Sequence, residues 1–211
     1  MNVSNAGTAI LVIDMVGDMF RHEELIVHRG SLVQAINALT DAGRKDGLPV
    51  VWVREEHAPD LSDAPLELRR KQIHIAIAGT PGAELLPELD VAPSDHVVVK
   101  RRYSAFFGTD LDEHLRRERV ERLVLAGVNT HACVRTTAID AYQRDYDLAI
   151  VSDCVASYDR EHHDVSLRYM DGKIARVMSL RAFLAELRSY GVEDVEATTT
   201  TRNRNQRGDG E

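Results

Sequence analysis

RLVLAGVNTHACV, residues 122–134, is the stretch from which the fold is read. It opens on an apolar run, Arg122–Ala126, breaks at Gly127 and delivers a cysteine, Cys133. Beyond the cysteine, Val134, Ala138 and Ala141 share one helical face, so a helix is expected over Cys133–Arg144. A buried strand running through a glycine turn into a helix is the repeating unit of an α/β protein.

The same unit recurs on either side. Thr8–Ile13, Pro49–Val53, Asp95–Val99 and Asp147–Val151 are short and nearly continuous in Val, Ile, Leu or Ala. Strands buried on both faces of a parallel sheet need that composition. Ala175–Met178 supplies a sixth strand, at an edge. Helical patterns lie between. Leu32, Ile36 and Leu39 repeat within Ser31–Lys45, with Ser31 as N-cap, and further helices are expected at Asp110–Arg117, Glu161–Met170 and Leu180–Tyr190. The alternation predicts a three-layer α/β/α sandwich around a Rossmann-like, mostly parallel six-stranded sheet with right-handed crossovers. Glu55–Thr80 is irregular and reads as a loop excursion that shapes a site. One domain is expected over 1–196. The remainder, ATTTTRNRNQRGDGE at 197–211, has almost nothing to bury and reads as a disordered tail.

Composition closes off several functions. The 211 residues are 44% hydrophobic and 28% charged, ordinary for a single globular domain. A net charge of −8 repels phosphate backbones, so no nucleic-acid partner is expected. No apolar run is long enough to cross a bilayer, so no membrane partner is expected either. Two cysteines cannot form a disulfide framework, and free thiols fit a reducing, cytoplasmic setting.

Parallel sheets bind ligands beyond the carboxyl ends of their strands. The first strand ends in Asp14, the second in Arg54, the third in Lys100, and the fourth runs into Cys133. A carboxylate, an ammonium and a thiol thus emerge at one edge. Cys133 opens a helix, whose partial positive charge and unpaired N–H groups favour thiolate and offer donors to an oxyanion. Cys154 lacks that setting and is expected to serve packing alone.

These residues resemble the isochorismatase-like cysteine hydrolases, a family that includes nicotinamidases and N-carbamoylsarcosine amidases. The likeness runs over AILVIDM at 9–15, GTPGAEL at 79–85, VVVKRRYSAF at 97–106, LVLAGVNTHACV at 123–134 and VSDCVAS at 151–157. It implies Asp14, Lys100 and Cys133 as catalytic residues and a cis Val128–Asn129 peptide. It implies the backbone N–H groups of Asn129 and Cys133 as oxyanion donors. Dimers or tetramers are common in the family, so a homo-oligomer is implied. After Asp14 the family often continues MQNDF, whereas this chain reads Met15-Val16-Gly17-Asp18-Met19-Phe20. Metal-binding nicotinamidases carry an Asp-x-His pair and a later His. Here Glu55, His57 and His74 lie near those positions, but they read as surface loop residues, and neither a catalytic metal nor any cofactor is expected.

The expected chemistry is hydrolysis of an amide-type C–N bond in a small molecule through a thioester. Phe20, Arg102, Phe106 and His131 are candidates for contacting the substrate. Two other functions fit less well. Vinyl-ether hydrolysis, the reaction that names the family, needs no thiol. A thiol-bearing binding or redox protein needs no Asp14. A dinucleotide module is disfavoured because no G-x-G-x-x-G follows the first strand.

Overall fold

The computed structural model describes residues 7–189. The expected tail at 197–211, the domain boundary at 196 and the end of the last helix at Tyr190 lie outside the described residues. Six strands form one sheet: β1 (Thr8–Ile13), β2 (Val50–Glu55), β3 (His96–Lys100), β4 (Arg122–Val128), β5 (Asp147–Ala156) and β6 (Arg176–Met178). Their order is β3-β2-β1-β4-β5-β6, and every neighbouring pair is parallel.

Helices cover both faces, which is why the central strands carry no polar alternation. On one face α2 (Arg29–Lys45) and α7 (180–189) bury Leu32, Ile36, Leu39, Phe183 and Leu187 against Ile10, Val12, Trp52 and Val124. On the other face α4 (Leu111–Arg117), α5 (Arg135–Tyr142) and α6 (Arg160–Met170) bury Leu111, Leu115, Ala138, Ala141 and Met170 against Leu11, Val53, Leu123 and Ile150. Two short helices, α1 (Glu23–Ile26) and α3 (Leu66–Lys71), complete the set, α3 inside the stretch expected to be loop. Trp52, wholly buried on β2, donates its indole N–H to Asp95 Oδ2 at 2.8 Å, and Arg44 closes on the same carboxylate.

Boundaries differ from the sequence reading where pairing, rather than residue type, extends a strand. β2 continues two residues past Val53 because Arg54 and Glu55 pair with Val99 and Lys100. β5 runs five residues past Val151, with Val155 and Ala156 opposite Gly127 and Val128 after a register irregularity. Ser31 does not cap α2, which begins at Arg29; its hydroxyl donates to the His28 carbonyl.

One glycine is dictated by the sheet. Gly127 has φ +111, and a Cβ there would stand 2.0 Å from the Ile13 carbonyl oxygen. No side chain fits where β4 turns across the end of β1.

Candidate active site

The strand order reverses between β1 and β4, and the crevice beyond their carboxyl ends is where such sheets take ligands. Asp14 leaves β1 there in a left-handed conformation, φ 54, with its N–H bonded to Val53 O. Asp tolerates this region better than most non-glycine residues. From β4, the chain passes through a cis Val128–Asn129 peptide, as the resemblance implied, into a wide helical turn, Thr130–Val134. The Asn129 carbonyl accepts from Ala132 N and Val134 N, and Thr130 Oγ1 donates to Ala156 O, fixing the turn to the end of β5. Cys133 therefore sits within the first turn of a helical segment that opens at Thr130 instead of opening the helix itself.

Lys100 comes from β3, two strands away from Asp14. Crossing the end of β2 spans roughly 9–10 Å, which only a long side chain bridges. Its ammonium lies 2.8 Å from Asp14 Oδ2, 3.5 Å from Cys133 Sγ and 3.0 Å from the Arg102 carbonyl. Asp14 and Lys100 are wholly buried and Cys133 nearly so. The three residues singled out at the strand ends are thus brought into one cluster.

A fourth residue joins them. Glu55 Oε2 is 3.6 Å from the same ammonium, and Glu55 Oε1 is 3.0 Å from His57 Nε2. Glu55 and His57 are buried, which corrects their reading as surface loop residues. The missed signal was strand register. Once β2 is extended to pair with β3, its last residue faces Lys100, so Glu55, not Arg54, ends the strand.

Burial, opposed by Lys100 and reinforced by Glu55, raises the Asp14 carboxyl to about 6. Glu55 is also penalised by burial, but Lys100 and His57 outweigh this and hold it below its ordinary value. The Lys100 ammonium loses hydration on burial, yet Asp14, Cys133 and Glu55 push its pKa up. Burial drives the Cys133 thiol well above its usual range despite the lysine. Burial thus works against the thiolate that the helix terminus was expected to favour.

These residues do not fit a divalent ion. Asp14, Glu55 and Cys133 present ligand atoms within 4.8 Å of one another, but the Lys100 ammonium already stands among them. His57 is engaged with Glu55, and His74 is exposed, so Glu55, His57 and His74 form no three-ligand cluster among the described residues.

The residues expected to contact substrate are dispersed. Phe20 is buried in the core on the α2 face, with Arg29 over its ring. Phe106 is buried in the opposite core, against Tyr146 and beneath Arg144. Arg102 contributes its carbonyl to Lys100, while its guanidinium donates to the Asp63 and Arg101 carbonyls. His131 holds Ser157 Oγ at 2.5 Å and meets the Tyr158 ring edge-on. A cavity of about 430 Å³, lined by Val27, His28, Ser157, Tyr158 and His163 among others, lies beside this turn and is not lined by Asp14, Lys100 or Cys133.

The GTPGAEL stretch braces the segment after β1. Asp18 N donates to Gly82 O, Asp18 Oδ2 accepts from Ala76 N, and a Cβ on Gly82 would collide with the Asp18 carboxylate at 2.2 Å.

Sheet order and the segments at its rim place the chain in the class of three-layer α/β/α proteins of the isochorismatase type. The Isochorismatase domain model matches residues 8–182, and the chain belongs to that family. A probable inactive nicotinamidase of Arabidopsis thaliana is 33% identical over 188 residues, covering 85% of this chain and 96% of that protein. N-carbamoylsarcosine amidase from Thermoplasma acidophilum is 32% identical with a TM-score of 0.70, covering 82% of this chain and 96% of that one. The nicotinamidase/pyrazinamidase of Bacillus subtilis is 30% identical with a TM-score of 0.72, covering 82% and 99%.

Proposed function

We propose that this protein hydrolyses an amide-type C–N bond of a small molecule, with Cys133 as nucleophile, Asp14 as proton carrier and Lys100 as the cation that steadies both. The observation that carries the reading is the buried Lys100 ammonium, 2.8 Å from the Asp14 carboxylate and 3.5 Å from the Cys133 sulfur. Asp14 takes the thiol proton as sulfur attacks the carbonyl carbon. Main-chain N–H groups of Asn129 and Cys133 receive the tetrahedral oxyanion, at about 3 kcal/mol for each donor. Asp14 then returns the proton to the departing nitrogen, leaving a thioester on Cys133. Water, deprotonated by the same carboxylate, releases the acid and restores the thiol.

The amidase names of two structural relatives near 30% identity support this reaction class. The thiol supports it too, because a vinyl ether is cleaved without a sulfur nucleophile. The test is mass spectrometry of the intact protein after incubation with a panel of aromatic amides, N-carbamoyl compounds and ureides. An acyl adduct on Cys133, with ammonia release, is expected. Pyruvate release from isochorismate without any adduct would put the protein in the other branch. A folded, fully active Lys100→Ala variant would remove the lysine from the mechanism.

A further inference from the structure

The Asp14–Lys100–Cys133 cluster contains one more carboxylate than a proton carrier, a cation and a nucleophile require. Glu55 lies at the end of β2, between the strands that carry Lys100 and Asp14. An ammonium has three N–H groups. Lys100 donates to Arg102 O at 3.0 Å and Cys133 Sγ at 3.5 Å, and its charge pairs with Asp14 Oδ2 at 2.8 Å. Glu55 Oε2, at 3.6 Å, shares the charge at longer range.

What holds Glu55 in that place is His57. The Glu55 carboxylate accepts only, so the hydrogen at the 3.0 Å contact is on His57 Nε2. His57 Nδ1 is buried with no hydrogen-bond partner among the described residues. The His57 backbone is itself fixed, its N–H on Ala76 O and its carbonyl on Ala78 N. Glu55 is thus an oriented, ionised group whose charge points at the lysine that Asp14 depends on.

We propose that Glu55, locked by His57, is a positioning residue that keeps Asp14 able to hold a proton by competing with it for the single Lys100 ammonium. The proposal rests on the proton-carrying role given to Asp14 above. With one cation between two carboxylates, the negative charge of Glu55 offsets part of the stabilisation that Lys100 gives the Asp14 carboxylate. Asp14 still takes the thiol proton, and it is acidic enough to pass that proton on. The groups facing Asp14 are Lys100 from β3, Glu55 from β2 and the Cys133 thiol from the turn after β4. Tyr103, in the segment after β3, lies within the electrostatic reach of Cys133 and Glu55.

A test needs no substrate. Alkylation by iodoacetamide forms a carbon–sulfur bond on Cys133, expels iodide and sends the thiol proton to Asp14. Peptide mass spectrometry reads the rate at Cys133 alone across pH. In the wild type the rate rises with a midpoint near the Asp14 value of about 6. Glu55→Gln lowers that midpoint by about one pH unit, because a negative neighbour is removed. Glu55→Asp, which keeps the charge, stays close to the wild type. A role in packing alone would change the amplitude of labelling and leave the midpoint in place. An unmoved midpoint in folded Glu55→Gln overturns the inference while leaving the Asp14 mechanism standing. A wild-type midpoint at or below about 4, or a rise only above about 8.5, overturns both. Should Glu55→Gln fail to fold, the wild-type profile and Glu55→Asp decide: a Glu55→Asp midpoint displaced by a unit or more overturns the charge argument.

Discussion

The chain buries two thiols, and their surroundings differ in almost everything except burial. Cys154, wholly buried near the end of β5, belongs to the apolar cluster on the α2 face, and burial pushes its thiol up to about 12. Cys133 is equally dry, and burial lifts it as well, but an ammonium stands 3.5 Å away with a carboxylate behind it. Desolvation alone makes an inert sulfur. On the proposed mechanism, the added cation and carboxylate are what let the Cys133 sulfur give up its proton during attack.

The sharpest way to break this contrast is to exchange the roles. Cys133→Ala should lower amide turnover by about ten-thousandfold and abolish the acyl adduct, read by ammonia release and intact mass. Asp14→Asn should cost about a hundred- to ten-thousandfold in kcat/KM, since the thiol loses its proton acceptor. Lys100→Met keeps length but leaves two carboxylates buried beside each other. It should destabilise the fold by about 3–5 kcal/mol in urea titrations unless the carboxylates protonate. Proton uptake by the folded variant at neutral pH is the accompanying readout. On the proposed mechanism Asp14 must be ionised to accept the thiol proton, and its value is raised to about 6. As pH falls through that point, kcat/KM of the wild type should drop about tenfold per unit. Cys154→Ala is the control with the smallest effect: about 1 kcal/mol of stability and less than about twofold in activity. A larger loss of activity there would end the contrast between the two thiols.

The sequence made the scaffold and three members of the cluster legible for one reason. Strands buried on both faces write themselves as apolar runs, and the first polar residue after each run marks the sheet's edge. β1 coincides with its apolar run, and Asp14 and Lys100 are the polar residues that close the runs of β1 and β3. Glu55 was not read this way, because the apolar run of β2 stops at Val53 while hydrogen-bonded pairing with β3 continues through Glu55. Pairing is a property of two strands and leaves no mark on one. α3 is silent in the sequence for a related reason: Leu66–Lys71 buries no residue, so it shows no apolar stripe. Phe20 and Phe106 illustrate the converse. Adjacency to a site segment in the chain says little about which way a ring faces, and both rings went into the cores.

Trp52 is the only tryptophan in the chain. It lies three positions before Glu55 on β2, dry and hydrogen-bonded to Asp95. Its emission therefore reports a single place, the strand that ends in Glu55. Excited selectively in the native protein, it should fluoresce toward the blue and move to the red when water reaches it. Each variant of the cluster can then be checked for intact folding by light alone, before any substrate is in hand.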